Sequence, residues 1–160
     1  MPFVRAARPA DAEAAAEVLR DSITKLGVAD HRNDPDTLQQ WLEGKSASDF
    51  HDWIADEDKF CVVAQSRDKI RGVGLIDRRG EIRLCYISPR VRGQGVGGKI
   101  LAALEQKAAA WGLSSVHLQS TASARPFYEI HGYIAAGEST CGFGLAHCHP
   151  YRKELRQAAT

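Results

Sequence analysis

The sequence has no excess of charge and no long apolar run, and each absence excludes a class of protein. Its 21 basic and 20 acidic residues leave a formal net charge of +1, so no global field favours nucleic acid or a membrane surface. No apolar stretch approaches the roughly eighteen residues that a membrane-spanning helix requires. We therefore expect neither a nucleic-acid partner nor a membrane, and any charge-driven recognition must be local.

The cysteines lack the paired C-x-x-C spacing of redox and metal motifs. They stand mostly inside apolar stretches, which favours reduced, buried thiols over a disulfide framework. The N-terminal segment MPFVRAARPADAE lacks the basic-then-apolar pattern of a signal peptide. These features predict a cytoplasmic protein. The four cysteines are Cys61, Cys85, Cys141 and Cys148.

The sequence does have enough apolar residues for a core. Hydrophobic residues make up 44% of its 160 positions, which predicts a single domain over residues 1–160. Helical periodicity and strand alternation divide the first half of the chain. We expect a strand at Phe3–Ala6, a helix from Pro9 to Gly27, a polar loop up to Pro35, two short helices around Trp41 and Trp53, and strands at Phe60–Gln65, Ile70–Asp77 and Glu81–Ser88.

The second half is predicted to cross over the sheet. A helical stripe through Val96, Ile100 and Leu104 ends at Gly112, and a strand at Ser115–Gln119 follows. A helical crossover makes this strand parallel to the preceding one. A short helix capped by Thr121 or Ser123 and closing strands at Tyr133–Ala135 and Gly142–His147 complete the prediction.

The richest local pattern is the stretch 82–98, IRLCYISPRVRGQGVGG, where an apolar run meets a Pro-Arg turn and then a helix. Its glycines lie at the start of that helix. Because glycine has no Cβ, backbone N–H groups there can approach an anion closely. The stretch therefore predicts a phosphate site.

Three interpretations compete for these glycines. Gly93, Gly95 and Gly98 satisfy the dinucleotide pattern G-x-G-x-x-G, but no carboxylate stands on the next strand. The P-loop pattern fails because Ile100 stands where a Ser or Thr should hold magnesium. The third interpretation is R-x-x-G-x-G after a strand, formed here by Arg92, Gly95 and Gly97.

That third pattern resembles the pyrophosphate loop of the GNAT N-acetyltransferases, through the block SPRVRGQGVGGKILAALE. A second block, TASARPFYEIHGY, is similar to another segment of the same superfamily. The similarity in element order runs from about Phe3 to Leu155. The resemblance implies an α/β (α+β) fold, with a mixed, mostly antiparallel sheet of about six to seven strands flanked by helices. A parallel pair would splay apart at the cofactor site.

The resemblance also implies acetyl-CoA as co-substrate and assigns residues to it. The pantetheine would pair with the backbone of Cys85, Tyr86 and Ile87, and Thr121 stands where relatives often carry an Asn that contacts pantetheine. The pyrophosphate would lie on the N–H groups of the loop, at the positive end of the following helix. These loop residues are Arg92, Gly93, Gln94, Gly95, Val96, Gly97 and Gly98.

Two catalytic residues follow from the resemblance and the chemistry. Tyr128 occupies the position whose hydroxyl donates a proton to the departing CoA thiolate in many relatives, although it could simply pack with Phe127. A primary amine is protonated near neutral pH, so attack requires a proton acceptor. We expect Glu81 to accept that proton directly or through water; a solvent-exposed turn carboxylate is the alternative interpretation.

The run His147, Cys148 and His149 suggests zinc, but neighbours in a strand point to alternate faces and no second ligand pair exists. We therefore expect no metal.

These observations predict an acetyl-CoA-dependent N-acetyltransferase that acts by direct attack of a primary amine in a ternary complex. The alternative is a catalytically silent acyl-CoA-binding sensor or scaffold. The acceptor, a small molecule or a protein amine, would enter between residues 26–53 and 141–151, where His31, Arg32, Asp34, His147 and His149 are candidates. A homodimer is also compatible with the resemblance. The loop would hold only the CoA portion, so its sequence does not distinguish an acetyl group from a longer acyl chain.

Overall fold

The computed structural model describes residues 2–138, 140–142 and 145–155, which form a mixed sheet flanked by helices. The strands are β1 (Phe3–Ala6), β2 (Lys59–Ser66), β3 (Lys69–Asp77), β4 (Glu81–Ile87), β5 (Ser115–Ser120), β6 (Ile134–Ala135), β7 (Thr140–Gly142) and β8 (Leu145–Glu154). The helices are α1 (Ala12–Leu26), α2 (Val28–His31), α3 (Pro35–Leu42), α4 (Ala47–Ala55), α5 (Val96–Ala110) and α6 (Arg125–Ile130). None of these helices is long and apolar enough to cross a membrane.

Seven strands follow one another in the order β1-β2-β3-β4-β5-β8-β6, and the short β7 pairs with β8. The pair β4–β5 is parallel, and the other described pairs are antiparallel. The crossover from β4 to β5 runs through α5, as the sequence predicts. The predicted fold class, a mostly antiparallel mixed sheet with one parallel pair, is confirmed.

Each face of the sheet carries its own core. On one face α5 packs Ile100 and Leu104 against β2 and β3. A Cβ at Gly74 of β3 would lie 2.5 Å from Cγ2 of Ile100, so this glycine admits the helix. On the other face α1, α3 and α4 bury Leu19, Trp41 and Phe50. Each such side chain contributes about 1.5–3 kcal/mol of transfer free energy.

A β-bulge in β4 opens the sheet. In the register with β3, Leu84 faces Leu75 and Ile82 faces Ile76, which leaves Arg83 as the extra residue. The parallel pairing with β5 ends at the same point, since its described pairs are formed by Glu81 and Ile82. Beyond the bulge, the backbone of residues 85–87 is paired with β3 alone. The parallel pair therefore ends at the bulge.

Three local predictions were wrong. Residues 28–31 form the helix α2 instead of a loop, because the buried His31 ring bonds to the carbonyl of Ile23 and stabilises this turn. Neither predicted residue caps α6: its N-cap is Ala124, and the Ser123 side chain bonds to Asp30 instead.

The last strand was also predicted wrongly, as a segment at 142–147. That segment spans the end of β7 and the beginning of β8, and residues 143 and 144 lie outside the described chain. Strand β8 continues to Glu154 because it pairs with β5 over residues 149–154. Pro150 within it breaks the local strand pattern, so only the long-range pairing reveals its length.

Candidate active site

The loop between β4 and α5 is shaped by two glycines with positive φ. Ser88 accepts the N–H of Arg90 at 3.2 Å and begins a short 3₁₀ turn. Gly93 (φ 81°) and Gly95 (φ 77°) then adopt left-handed conformations, and Gly95 is the N-cap of α5. No described atom lies within 4 Å of a Cβ at either position. Backbone conformation, not crowding, is what requires glycine there.

The next two glycines have a different purpose. A Cβ at Gly97 would lie 2.8 Å from Cζ of Phe127, and one at Gly98 would lie 2.7 Å from Cε1 of His131. Phe127 belongs to α6, the helix that also carries Tyr128, and His131 is the C-cap of that helix. Gly97 and Gly98 therefore allow α6 to pack directly against the start of α5.

The start of α5 offers backbone donors. The N–H of Lys99 donates to the carbonyl of Gly95 at 3.3 Å. In an α-helix the N–H groups before that position have no intrahelical acceptor, and they carry the positive end of the helix dipole. The N–H groups of residues 96–98 are in this position. The arrangement can bind an anion.

These groups border a cavity of about 460 Å³, here called the main cavity. It also extends along the end of α1 and the beginning of α2. Ten of the eleven predicted cofactor positions line it: Cys85, Tyr86, Ile87, Arg92, Gly93, Gly95, Val96, Gly97, Gly98 and Thr121. Gln94 is not among its lining residues, and its N–H donates to the carbonyl of Val91 at 3.2 Å.

Tyr128 lines the main cavity and is buried, with 8% of its surface exposed. Its ring makes edge contacts with Phe127 and Tyr133, with centroids at 5.0 and 5.7 Å. Burial raises the pKa of Tyr128 well above its ordinary value. The phenol is therefore protonated at neutral pH, which a proton donor requires. Packing and proton donation are compatible, because packing holds the ring in place.

A small gap of about 30 Å³ adjoins Tyr128 where β4 and β5 separate. Cys85, Tyr86 and Tyr128 line both this gap and the main cavity. The Cys85 thiol donates to the carbonyl of Gly97 at 3.8 Å, and burial raises its pKa to about 12. The hydroxyl of Tyr86 accepts the indole N–H of Trp41 at 3.3 Å, and burial raises its pKa to about 12.

Glu81 lies elsewhere, in the lining of a second cavity of about 290 Å³. This second cavity is bounded by residues 43–45, Trp53 and β4. Glu81 precedes Cys85 by four residues, or about 13 Å along a strand. Tyr86 and Gln119 line both cavities and the gap between them. The gap thus shares walls with both cavities.

Sequence reasoning missed a bridge across the main cavity. The carboxylate of Asp30, on α2, accepts the backbone N–H of Ser123 at 3.2 Å and also the Ser123 hydroxyl. Both residues line the main cavity. They are 93 positions apart, so no local signal in the sequence could have paired them.

Two of the five acceptor candidates named from the sequence, His31 and Asp34, have structural partners. The N–H of Asn33 donates to Nδ1 of His31 at 2.9 Å, so Nε2 carries the proton and donates to the carbonyl of Ile23 at 3.0 Å. Asp34 caps α3 by accepting the N–H of Thr37. His149 lies in β8 opposite Ser120, and the side chain of His147 lies outside the described residues.

Within the described residues, no group of three or more His, Cys, Asp or Glu could hold a metal ion.

Comparisons with known proteins agree with this geometry. Residues 19–155 match the family described as acetyltransferase (GNAT) domain. The "Uncharacterized N-acetyltransferase YjcF" of Bacillus subtilis (strain 168) is 37% identical over 81 residues, which cover 48% of this chain and 57% of that protein. The alignment therefore spans little more than half the length of this curated relative.

Solved structures with low sequence identity share the fold. A GCN5-related N-acetyltransferase from Rhodopseudomonas palustris has a TM-score of 0.84 at 22% identity, covering 97% of this chain and 96% of its own. PaiA N-acetyltransferase from Thermoplasma acidophilum, in complex with coenzyme A, has a TM-score of 0.82 at 19% sequence identity. The match covers 97% of this chain and 99% of PaiA. YncA from Salmonella typhimurium, with its cofactor acetyl-CoA, has a TM-score of 0.74 at 17% sequence identity. The match covers 100% of this chain and 97% of YncA. The family match and the shared fold together show that this chain belongs to the GNAT acetyltransferase family.

Proposed function

We propose that this protein transfers an acetyl group from acetyl-CoA to a primary amine by direct attack in a ternary complex. The observation that carries the proposal is the main cavity, which brings the glycine loop, the end of β4, Thr121 and Tyr128 to one place. Two structures with the same fold contain coenzyme A or acetyl-CoA.

The chain's own groups fit such a ligand. The free N–H groups at the start of α5 would bind the pyrophosphate, and the open space beside Gly93 and Gly95 leaves room for it. Residues 85–87, which β5 does not pair, would bond the pantetheine amides. The Thr121 hydroxyl would add one hydrogen bond. Acetyl-CoA, when bound, would supply an activated acetyl thioester.

In the transfer, the nitrogen lone pair of the acceptor forms a bond to the carbonyl carbon while the carbon–sulfur bond breaks. Tyr128 gives its proton to the departing thiolate. Tyrosine is ordinarily a weaker acid than a thiol, but burial at this place raises the pKa of the neighbouring Cys85 thiol to about 12. A thiolate expelled into the same surroundings is correspondingly basic, but the same burial also raises the pKa of Tyr128. The transfer therefore depends on the position of the phenol beside the thiolate and not on a difference in acidity.

The proton lost by the acceptor amine passes to Glu81. Because Glu81 lies about 13 Å along the strand from Cys85, we expect bridging water molecules to carry it. The acceptor then enters through the second cavity and reaches the gap past Tyr86.

The cysteines bear on where the protein works. The free thiols of Cys61 and Cys85 suit a reducing compartment, and we therefore propose the cytoplasm. The acceptor is a small molecule or a protein amine. A homodimer is also proposed, and the molecular mass of the protein in solution tests it.

Two measurements test the proposed function. Saturating acetyl-CoA at about 100 times its Kd should stabilise the native state by about 2.7 kcal/mol and raise Tm by roughly 5–10 °C. Thiol release from acetyl-CoA should then appear with at least one primary amine. No change in Tm would contradict the cofactor site. A rise in Tm without thiol release from any amine would favour the silent acyl-CoA-binding module.

A further inference from the structure

Two cations from separate parts of the chain line the second cavity. Lys45 comes from the loop between α3 and α4, and Arg83 is the bulge residue of β4. Glu43 and Glu81 line the same cavity. A space with both signs of charge suits a ligand that also carries both.

Arg83 is held by one edge of its guanidinium group. Its Nε donates to Oδ2 of Asp77 at 3.0 Å, and Asp77 is only 5% exposed. The other oxygen of Asp77 accepts the N–H groups of Arg79 and Glu81 at 2.9 and 3.1 Å. Asp77 is thus fixed by the β3–β4 turn and in turn orients Arg83. Nη2 of Arg83 also lies 4.0 Å from Oε2 of Glu81. A guanidinium has five N–H donors, so Arg83 keeps donors for a ligand beyond these two contacts.

Lys45 is unusually buried for a lysine, with 7% of its surface exposed. Its ammonium donates to the carbonyl of Glu43 at 3.3 Å. Burial lowers the pKa of Lys45, the nearby Arg20 lowers it further, and Asp49 acts in the opposite direction. A carboxylate that entered the cavity would offset the cost of holding this charge away from water.

We infer that the acceptor is an amine that also carries a carboxylate, which Lys45 and Arg83 bind in the second cavity. The inference rests on the proposed function and names its substrate class. Arg83 lines both the gap and the second cavity, whereas Lys45 is absent from the lining described for the gap. The carboxylate therefore lies on the side away from the acetyl group, and the amine points toward Tyr86 and the gap.

The first test compares matched acceptors on the unaltered protein. Pairs of an L-α-amino acid and its carboxamide, and of β-alanine or 4-aminobutyrate and the corresponding amides, are assayed by thiol release. Rates are compared at equal concentration of unprotonated amine, because the amide changes the pKa of the amino group. We expect kcat/KM for the acid of at least one pair to exceed that for its amide by about tenfold or more, as for a charge-assisted hydrogen bond. Spermidine, a polyamine with no carboxylate, serves as a cationic comparison.

The second test uses Lys45→Met with Lys25→Met as control. Lys25 is an exposed lysine on α1, paired with Asp21. Lys45→Met should raise KM for the preferred acid about tenfold and change KM for the amide by no more than about twofold. Lys25→Met should change neither, and Lys45→Arg should retain the preference for the acid. The Tm shift with acetyl-CoA checks that each variant is folded.

The outcomes are distinct. Three outcomes would overturn this inference and leave the proposed function standing. They are turnover with no preference for any acid, a preference for spermidine, and a Lys45→Met variant in which KM rises equally for the acid and the amide. Silence on every amine would overturn the proposed function and this inference with it. If Lys45→Met does not fold, the comparison of acids with amides on the unaltered protein still shows whether a carboxylate on the acceptor is recognised.

Discussion

The main cavity and the second cavity are built in different ways. The main cavity uses backbone: its anion-binding part is one continuous stretch, 92–98, and two glycines set its shape through their φ values. The second cavity uses side chains from four separate regions of the chain: residues 43–45, Trp53, β3–β4 and β5. A backbone site tolerates many side chains around it, whereas a side-chain site changes with each substitution. The difference explains why the chain's family is evident from its sequence and its acceptor is not.

The largest expected effect lies where the two cavities meet. Tyr128→Phe should lower kcat by about a hundredfold, because a positioned proton donor contributes at least that much, and should leave the Tm shift with acetyl-CoA nearly unchanged. The control is Tyr133→Phe, which removes a buried hydroxyl that donates to Glu105 at 2.8 Å outside the cavities. That variant should lose about 1 kcal/mol of stability without loss of turnover. Unchanged turnover in Tyr128→Phe would remove this residue from the acid role.

The backbone character of the main cavity is tested by Gly95→Ala. The left-handed φ of 77° should cost about 1–2 kcal/mol of stability, and the shifted N–H groups should weaken acetyl-CoA binding by about tenfold. Gly112→Ala is the matched control, since Gly112 has φ 85° with no described atom within 4 Å of its Cβ, at the far end of α5. Both variants should lose similar stability in denaturant unfolding, and Gly95→Ala alone should lose affinity. Equal affinities would mean that the loop geometry does not bind the ligand.

The sequence reveals the main cavity because its determinants are local. Helical periodicity, the glycine spacing at 93–98 and the block around Tyr128 are each visible within about twenty residues, and the fold predicted from them is confirmed. The bulge at Arg83, the buried position of Lys45 and the bond between Asp30 and Ser123 depend on register and on contacts between distant segments. Local patterns carry no information about such contacts, so this part of the site appears only in three dimensions.

A smaller effect, confined to the second cavity, is expected from Asp77→Asn. Burial alone would raise the pKa of Asp77, but hydrogen bonds from Arg83 and from the backbone of Glu81 and Arg79 outweigh it and lower the pKa below its ordinary 3.8. The stability that Asp77 contributes is therefore complete above pH 3.8 and is lost as the pH falls through the lower native-state pKa. At neutral pH the variant should lose about 1–2 kcal/mol.

The pH dependence checks the sign of this prediction. The difference in unfolding free energy between Asp77→Asn and the unaltered protein should shrink on acidification below pH 3.8. KM for the acceptor should rise, because Arg83 loses its orienting partner, while the Tm shift with acetyl-CoA should not change. The control Asp58→Asn removes an exposed partner of Arg78 on the neighbouring turn. It should leave the free energy of unfolding and KM for the acceptor unchanged. A loss of acetyl-CoA affinity in Asp77→Asn would mean that the two cavities are not independent.

The smallest expected effect concerns the bridge between the walls of the main cavity. Because Asp30 accepts two hydrogen bonds from Ser123, Ser123→Ala should let α2 and the start of α6 separate more readily. We expect the association and dissociation rates of acetyl-CoA to rise together by about two- to threefold, with little change in Kd, since an exposed hydrogen bond contributes only about 0.5–1 kcal/mol. Thr37→Ala is the matched control, because it removes a hydroxyl that bonds to Asp34 at 2.6 Å away from the main cavity. Stopped-flow binding measures both rates. A change in Kd without a change in the association rate would show that Ser123 contacts the ligand directly and does not control entry.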